Sequence, residues 1–173
     1  IWLDSGRPTS SQGNIDIISS SADIIIETKG NISTIFDSQG TAQSTRDPFD
    51  LAHEILKPLL PIQEGYENLA FTGGLLGFFG YDLGRRFIEI PDLTAEAVDL
   101  PDMRIGRFLW ALIVDHNEQV AQIIIHENCS AQLRSEVLDR LKKSKQVDCE
   151  LAGEFALTAE FSATLGADEY LDN

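Results

Sequence analysis

Basic residues, cysteines and long apolar runs are scarce in this sequence of 173 residues. Lys and Arg number 13 against 28 Asp and Glu, which gives a formal net charge of -15. Nucleic acids and anionic membranes bind through clustered Lys and Arg, so the composition argues against both as partners. No apolar run approaches the roughly 20 residues of a transmembrane helix. The first residues do not resemble a signal peptide.

The residue types that usually carry catalysis or bind metals are few and show no characteristic spacing. Cys129 and Cys149 are too few for a disulfide framework, and we expect reduced thiols of a cytoplasmic protein. His53, His116 and His126 lack metal-ligand spacing, and we expect them to be structural or exposed to solvent. The motifs of zinc proteases, serine hydrolases and P-loops are absent. The residues alone therefore predict no catalytic site and no metal site.

What the sequence does contain is a series of β-prone runs joined by turn residues. The runs at 24–26 and 32–36 flank a turn with Gly30, which predicts a β-hairpin. One long buried strand over 105–115, followed by a run at 120–126, predicts a second hairpin. The polar residues 37–47 predict a loop.

Helices are predicted at only a few places. Asp47 is a favoured N-cap and Pro48 a favoured first helical residue, so a helix is expected to begin there. The apolar stripe Leu133, Val137, Leu138 and Leu141 predicts another helix, and a short strand is expected at 155–157. Because strands outnumber helices and come as hairpins, we predict an α+β fold of antiparallel, hairpin-rich sheets packed with a few helices.

A glycine-rich aromatic stretch at 69–82 is the most unusual part of the sequence. It contains Gly73, Gly74, Gly77 and Gly80 among apolar and aromatic residues. A strand rarely carries that much glycine unless it bends or another group packs closely on its backbone. We expect these glycines to permit coiling and close approach between sheets.

This stretch, continued to residue 87, resembles the N-terminal domain of the anthranilate synthase component I family of chorismate-utilising enzymes. Segments 3–6, 100–103 and 110–116 agree with the family and come in its order, and 168–171 resembles the start of its C-terminal domain. Within the family, the chain is most similar to the aminodeoxychorismate synthase branch. The rival assignments are an anthranilate synthase and a stand-alone small-molecule-binding module.

The resemblance implies an N-terminal domain at 1–165 and the start of a truncated chorismate-binding domain at 166–173. Family members bind chorismate and Mg²⁺ in the C-terminal domain and receive ammonia from a separate glutamine amidotransferase subunit. The catalytic residues are therefore expected beyond Asn173, and we expect this chain alone to have no catalytic residue, no cofactor and no synthase activity.

The resemblance also implies one ligand site, a tryptophan pocket in the N-terminal domain. Leu3, Ser5 and Gly6 match the family's pocket motif. A second wall is expected from the following loop, at Gln12, Gly13, Asn14 and Ile15. This loop lacks the aromatic residue that relatives carry there. By themselves, Asp4, Ser5 and Gly6 predict a turn, whose hydroxyl and amide groups could also hold a small zwitterion.

Overall fold

The computed structural model describes residues 1–6, 13–62, 64–88 and 99–144, with 158–159, 162–163 and 166 near the end. Two compact units are distinguished, Ile1–Ser135 and Glu136–Asn173. The first unit contains both β-sheets. The predicted strand at 155–157 and the predicted domain start at 166–173 fall outside the described residues, except for Gly166.

Nine strands and two α-helices make up the regular structure of the described residues. The strands are β1 Trp2–Leu3, β2 Ile15–Ile18, β3 Ile24–Lys29, β4 Ile32–Asp37, β5 Gly40–Ser44, β6 Gly74–Phe79, β7 Met103–Phe108, β8 Trp110–Asp115 and β9 Val120–Ile125. The helices are α1 Pro48–Leu56 and α2 Ala131–Ser144, with short 3₁₀-helices at Lys57–Leu59 and Tyr81–Arg86.

The strands form two antiparallel sheets, which confirms the predicted α+β class. One sheet has four strands in the order β1-β2-β8-β9, and the other has five in the order β5-β4-β3-β7-β6. The hairpins β3–β4 and β8–β9 lie where the sequence predicts them. The predicted loop at 37–47 is wrong in part, because Gly40–Ser44 pairs with β4 as an edge strand.

The single long strand predicted over 105–115 is also wrong. The chain breaks at Leu109, so that β7 belongs to the five-stranded sheet and β8 to the four-stranded sheet. The chain also passes from one sheet to the other between β2 and β3, next to this break. The Ser19 hydroxyl donates to the Trp110 carbonyl over 2.6 Å, and the Trp110 indole N–H donates to the Ser20 carbonyl over 2.9 Å. These two hydrogen bonds give partners to polar groups at the places where the chain passes between the sheets.

The main core lies between α1 and the five-stranded sheet. The Asp47 carboxylate caps α1 by accepting from the Phe49 amide over 2.8 Å, and Pro48 occupies the first turn, as predicted. The buried residues of this core come from the helix, two central strands and the second 3₁₀-helix: Ile26, Leu51, Ala52, Leu83, Met103 and Ile105. Each of the Ile, Leu and Met side chains contributes roughly 1.5–3 kcal/mol when fully buried.

The glycines of β6 do permit a close approach, but its partner is a neighbouring strand in the same sheet. A Cβ on Gly77 would lie 2.0 Å from the Arg104 carbonyl oxygen and 2.7 Å from the Ile105 Cα, both in β7. At Gly74 the nearest group is the Phe71 ring at 3.4 Å, an ordinary contact. Gly73 has a φ of 118°, so it also needs glycine for its backbone.

Candidate site at Ser5 and Asp16

An Asx turn follows β1 and begins the candidate site. The Gly6 amide donates to the Asp4 carboxylate over 2.7 Å, in keeping with the turn predicted from these residues. Gly6 has a φ of 79°, in the left-handed region that glycine adopts without strain. The Ser5 amide donates to Oδ1 of Asp16 in β2 over 2.8 Å, which ties the turn to the strand.

Gly13 lies directly against the backbone of Ser5. A Cβ at position 13 would lie 1.7 Å from the Ser5 carbonyl oxygen, far inside any van der Waals contact. The next residue, Asn14, accepts through its carbonyl from the His116 amide over 2.8 Å. The structure therefore brings Gly13 against Ser5 and Asn14 against His116.

Asp16 is the central polar group of the site. Its side chain is largely buried, and His116 Nε2 lies 3.0 Å from its Oδ2. The hydrogen bond from the Ser5 amide, helped by the Ser5 hydroxyl and by His116, lowers the pKa of Asp16 to about 2, although burial opposes this shift. The carboxylate is therefore ionised at neutral pH.

Two further polar atoms of the site are buried, and neither makes a hydrogen bond of good geometry within the described residues. They are Oγ of Ser5 and Nε2 of His116, the second of which lies near Asp16 without the geometry of a hydrogen bond. Buried polar atoms of native proteins are usually paired, so such atoms call for an explanation, and a bound ligand is one. Their chemistry suits a small molecule with an ammonium group or N–H donors.

The same three side chains do not form a nucleophilic triad. In a Ser-His-Asp triad the imidazole lies between the hydroxyl and the carboxylate and takes the hydroxyl proton. Here the carboxylate of Asp16 is the central group, next to both Ser5 and His116. The arrangement is therefore not that of an acyl-transfer triad.

The remaining predicted site residues lie at the margin of this cluster or beyond the described residues. Leu3 pairs with Ile17 in the β1–β2 ladder, and Leu3 and Ile15 are both exposed. Gln12 falls outside the described residues. Sequence reasoning missed Asp16 and placed His116 among structural or solvent-exposed histidines. The available signal was a lone carboxylate within the apolar run at 15–18.

Other chemistry in the described part of the chain is limited. No group of three or more His, Cys, Asp or Glu there is arranged to hold a metal ion. Cys129 is not in a disulfide, and burial raises the pKa of its thiol. Within the same residues, no helix has the length and apolar character needed to cross a membrane.

Comparison with known proteins identifies the relatives of this chain. Aminodeoxychorismate synthase component 1 of Klebsiella aerogenes is 32% identical over 168 residues, which cover 97% of the chain and 36% of that protein. Anthranilate synthase alpha subunit 2, chloroplastic, of Arabidopsis thaliana is 30% identical over 132 residues, which cover 70% of the chain and 21% of that protein. No family model matches the chain.

The fold is also shared with a solved structure. Anthranilate synthase component I from Streptococcus pneumoniae TIGR4 superposes with a TM-score of 0.62 at 19% identity, over 86% of this chain and 34% of that one. The chain spans about a third of the length of the aminodeoxychorismate synthase relatives it matches. It belongs to the family formed by component I of the aminodeoxychorismate and anthranilate synthases.

Proposed function

We propose that this chain is the N-terminal domain of component I of a cytoplasmic aminodeoxychorismate synthase. The observation that supports it most is the 32% identity to such a protein over 97% of the chain. The plant anthranilate synthase subunit matches only 70% of the chain. In the intact protein, ammonia from a glutamine amidotransferase subunit would add to chorismate and displace a hydroxyl, giving 4-amino-4-deoxychorismate for para-aminobenzoate and folate synthesis.

The product formed by the intact protein tests this assignment. Full-length protein is incubated with chorismate, Mg²⁺ and ammonium, which replaces the amidotransferase, and the product is identified by chromatography. We expect 4-amino-4-deoxychorismate, which the downstream lyase converts to para-aminobenzoate. Anthranilate would instead assign the protein to tryptophan synthesis, the second candidate, which the plant relative favours. No turnover would reject both.

Within the intact enzyme, we assign this chain a structural and regulatory role. As the family resemblance implies, we place the Mg²⁺ site and the catalytic residues in the part of the protein outside this chain. The isolated chain should therefore leave chorismate unchanged under conditions in which the full-length protein consumes it. An immediate stop codon after Asn173 in the gene would favour a stand-alone binding module instead.

We further propose that the site at Ser5 and Asp16 binds an amino acid, with L-tryptophan as the candidate ligand. The ionised Asp16 carboxylate can pair with an α-ammonium group, and the buried Ser5 hydroxyl and His116 Nε2 beside it offer further polar contacts. Residues 12–15 contain no aromatic side chain. Without stacking against an aromatic wall, the affinity should be lower by roughly 0.5–1.5 kcal/mol than in a pocket that has one.

Calorimetric titration of the full-length protein with L-tryptophan tests this ligand. We expect a saturable heat that is lost in Asp16→Asn and Ser5→Ala. Asp139→Asn is the matched control, because Asp139 is an exposed carboxylate of α2, and this variant should bind as the unaltered protein does. If the unaltered protein gives no saturable heat, the tryptophan proposal is wrong.

A further inference from the structure

Three phenylalanines from separate elements form an aromatic cluster on the protein surface. The Phe49 ring of α1 stacks on the Phe79 ring of β6 with centroids 5.8 Å apart, and it contacts Phe87 at 5.9 Å. Their exposed fractions are 46%, 57% and 55%. Although the rings cover one another in part, about half of each stays open to solvent. Contiguous apolar patches of this kind mark interaction surfaces on soluble proteins.

Among the described strands, the one that carries Phe79 lies at a sheet edge and has no pairing partner on its outer side. β6 is the last strand of the five-stranded sheet, and no other described strand pairs with its outer side. Its six residues, Gly74–Phe79, include no charge and no proline. Natural sheets usually protect such edges with charged residues, proline or a covering segment, because an open apolar edge pairs with other chains. The opposite edge strand, Gly40–Ser44, is instead mainly polar.

We propose that the aromatic cluster and the β6 edge form the surface on which the remaining part of the same polypeptide docks. This inference rests on the proposed function, because it assigns the surface to the chorismate-binding domain of the intact protein. The aminodeoxychorismate synthase relatives are nearly three times as long as the chain, which covers 36% of one of them. Most of the intact protein therefore lies outside this chain and is available to cover the surface.

A linked domain suits this surface better than a dissociable partner. A partner that comes and goes would leave the uncharged β6 edge open whenever it is absent, and the protein would then aggregate. A covalently linked domain stays at a high effective concentration and keeps the edge covered. The chemistry of the cluster, stacked phenylalanine without charge, also matches the apolar centre of permanent interfaces.

Site-specific photo-cross-linking in the full-length protein tests the occupant. p-Benzoylphenylalanine replaces Phe79 in one preparation and Phe87 in a second, which keeps an aromatic ring at half-exposed positions. The matched control carries the same probe at Phe36, a phenylalanine of β4 in the same sheet that is 37% exposed. After irradiation, the cross-linked peptides are identified by mass spectrometry, and cross-linked species are sized on a denaturing gel.

We expect intramolecular cross-links from positions 79 and 87 to peptides beyond residue 173, and none to those peptides from position 36. Because Phe49 lies against both positions, some cross-links within residues 1–173 are expected in any case. Cross-links only within residues 1–173, only to a second copy or only to the amidotransferase subunit would overturn the proposal, as would the absence of cross-links at both test positions. Product formation is assayed on the same preparations. A cross-link to the distal part of the chain would support the docking surface whichever product forms, so failure of the two proposals can be told apart.

Discussion

Nε2 of His116 lies 3.0 Å from Oδ2 of Asp16, and this pair connects the turn after β8 with β2. The other carboxylate oxygen, Oδ1, accepts from the Ser5 amide. One side chain therefore holds together the segment after β1, the strand β2 and the turn that joins β8 to β9. The candidate pocket depends on this carboxylate for its shape as well as for its charge.

Replacement of Asp16 should change how stability depends on pH. The folded pKa of Asp16, about 2, lies below the ordinary value of 3.8, so the unfolded chain takes up the proton first as the pH falls. The carboxylate then stabilises the fold fully above about pH 4, and this contribution is lost towards about pH 2. Thermal midpoints of the unaltered protein should fall more steeply across this window than those of Asp16→Asn. Parallel curves for the two proteins would contradict this assignment.

Gly77→Ala should destabilise the protein by about 1–3 kcal/mol, the usual cost of overpacking. The new Cβ would collide with the backbone of β7, which cannot move without disturbing the sheet. Gly84→Ala is the control, because among the described residues no atom beyond its own chain neighbours and its own helix lies within 4 Å of a Cβ there, and its effect should stay within about 0.5 kcal/mol. Chemical denaturation measures both free energies of unfolding. Equal values for the two variants would refute the close approach at Gly77.

Gly13→Ala should disrupt the pocket itself. A Cβ 1.7 Å from the Ser5 carbonyl oxygen forces the two walls apart, so we expect a loss of about 1–3 kcal/mol in stability and weaker ligand binding. The amide signal of Ser5 in two-dimensional NMR spectra should shift, because its bond to Asp16 depends on that geometry. An unchanged Ser5 signal together with an unchanged melting temperature would show that the walls do not touch in solution.

Arg86→Lys should lower the stability by about 1–2 kcal/mol. The Arg86 guanidinium donates to the carbonyls of Gly30, Thr45 and Arg46 over 2.8, 3.1 and 3.0 Å. A lysine ammonium cannot reach three acceptors in that fixed arrangement. Arg46→Lys is the control, because its side chain forms an exposed ion pair with Glu54, and its effect should be much smaller. Similar melting temperatures for the two variants would contradict the bridging role of Arg86.

The amino-acid sequence by itself determined the local elements and the family. The hairpins at β3–β4 and β8–β9, and the start of α1 at Asp47 and Pro48, follow from turn chemistry and capping, which act over a few residues. The glycine-rich aromatic stretch indicated close backbone contact, and Gly77 provides it. The resemblance of this stretch also identified the family.

Only the tertiary structure decided which segments meet. The break at Leu109 has no local signal, since residues 108–111 are all apolar, yet β7 and β8 pair with different sheets. The edge strand β5 is polar and was predicted as a loop, because pairing with β4 and not side-chain burial holds it in place. Asp16 and His116 lie 100 residues apart in the sequence, and β2–β8 pairing alone brings them together. Register between distant strands depends on the whole fold, and for that physical reason the pocket's central carboxylate could not be predicted from local pattern.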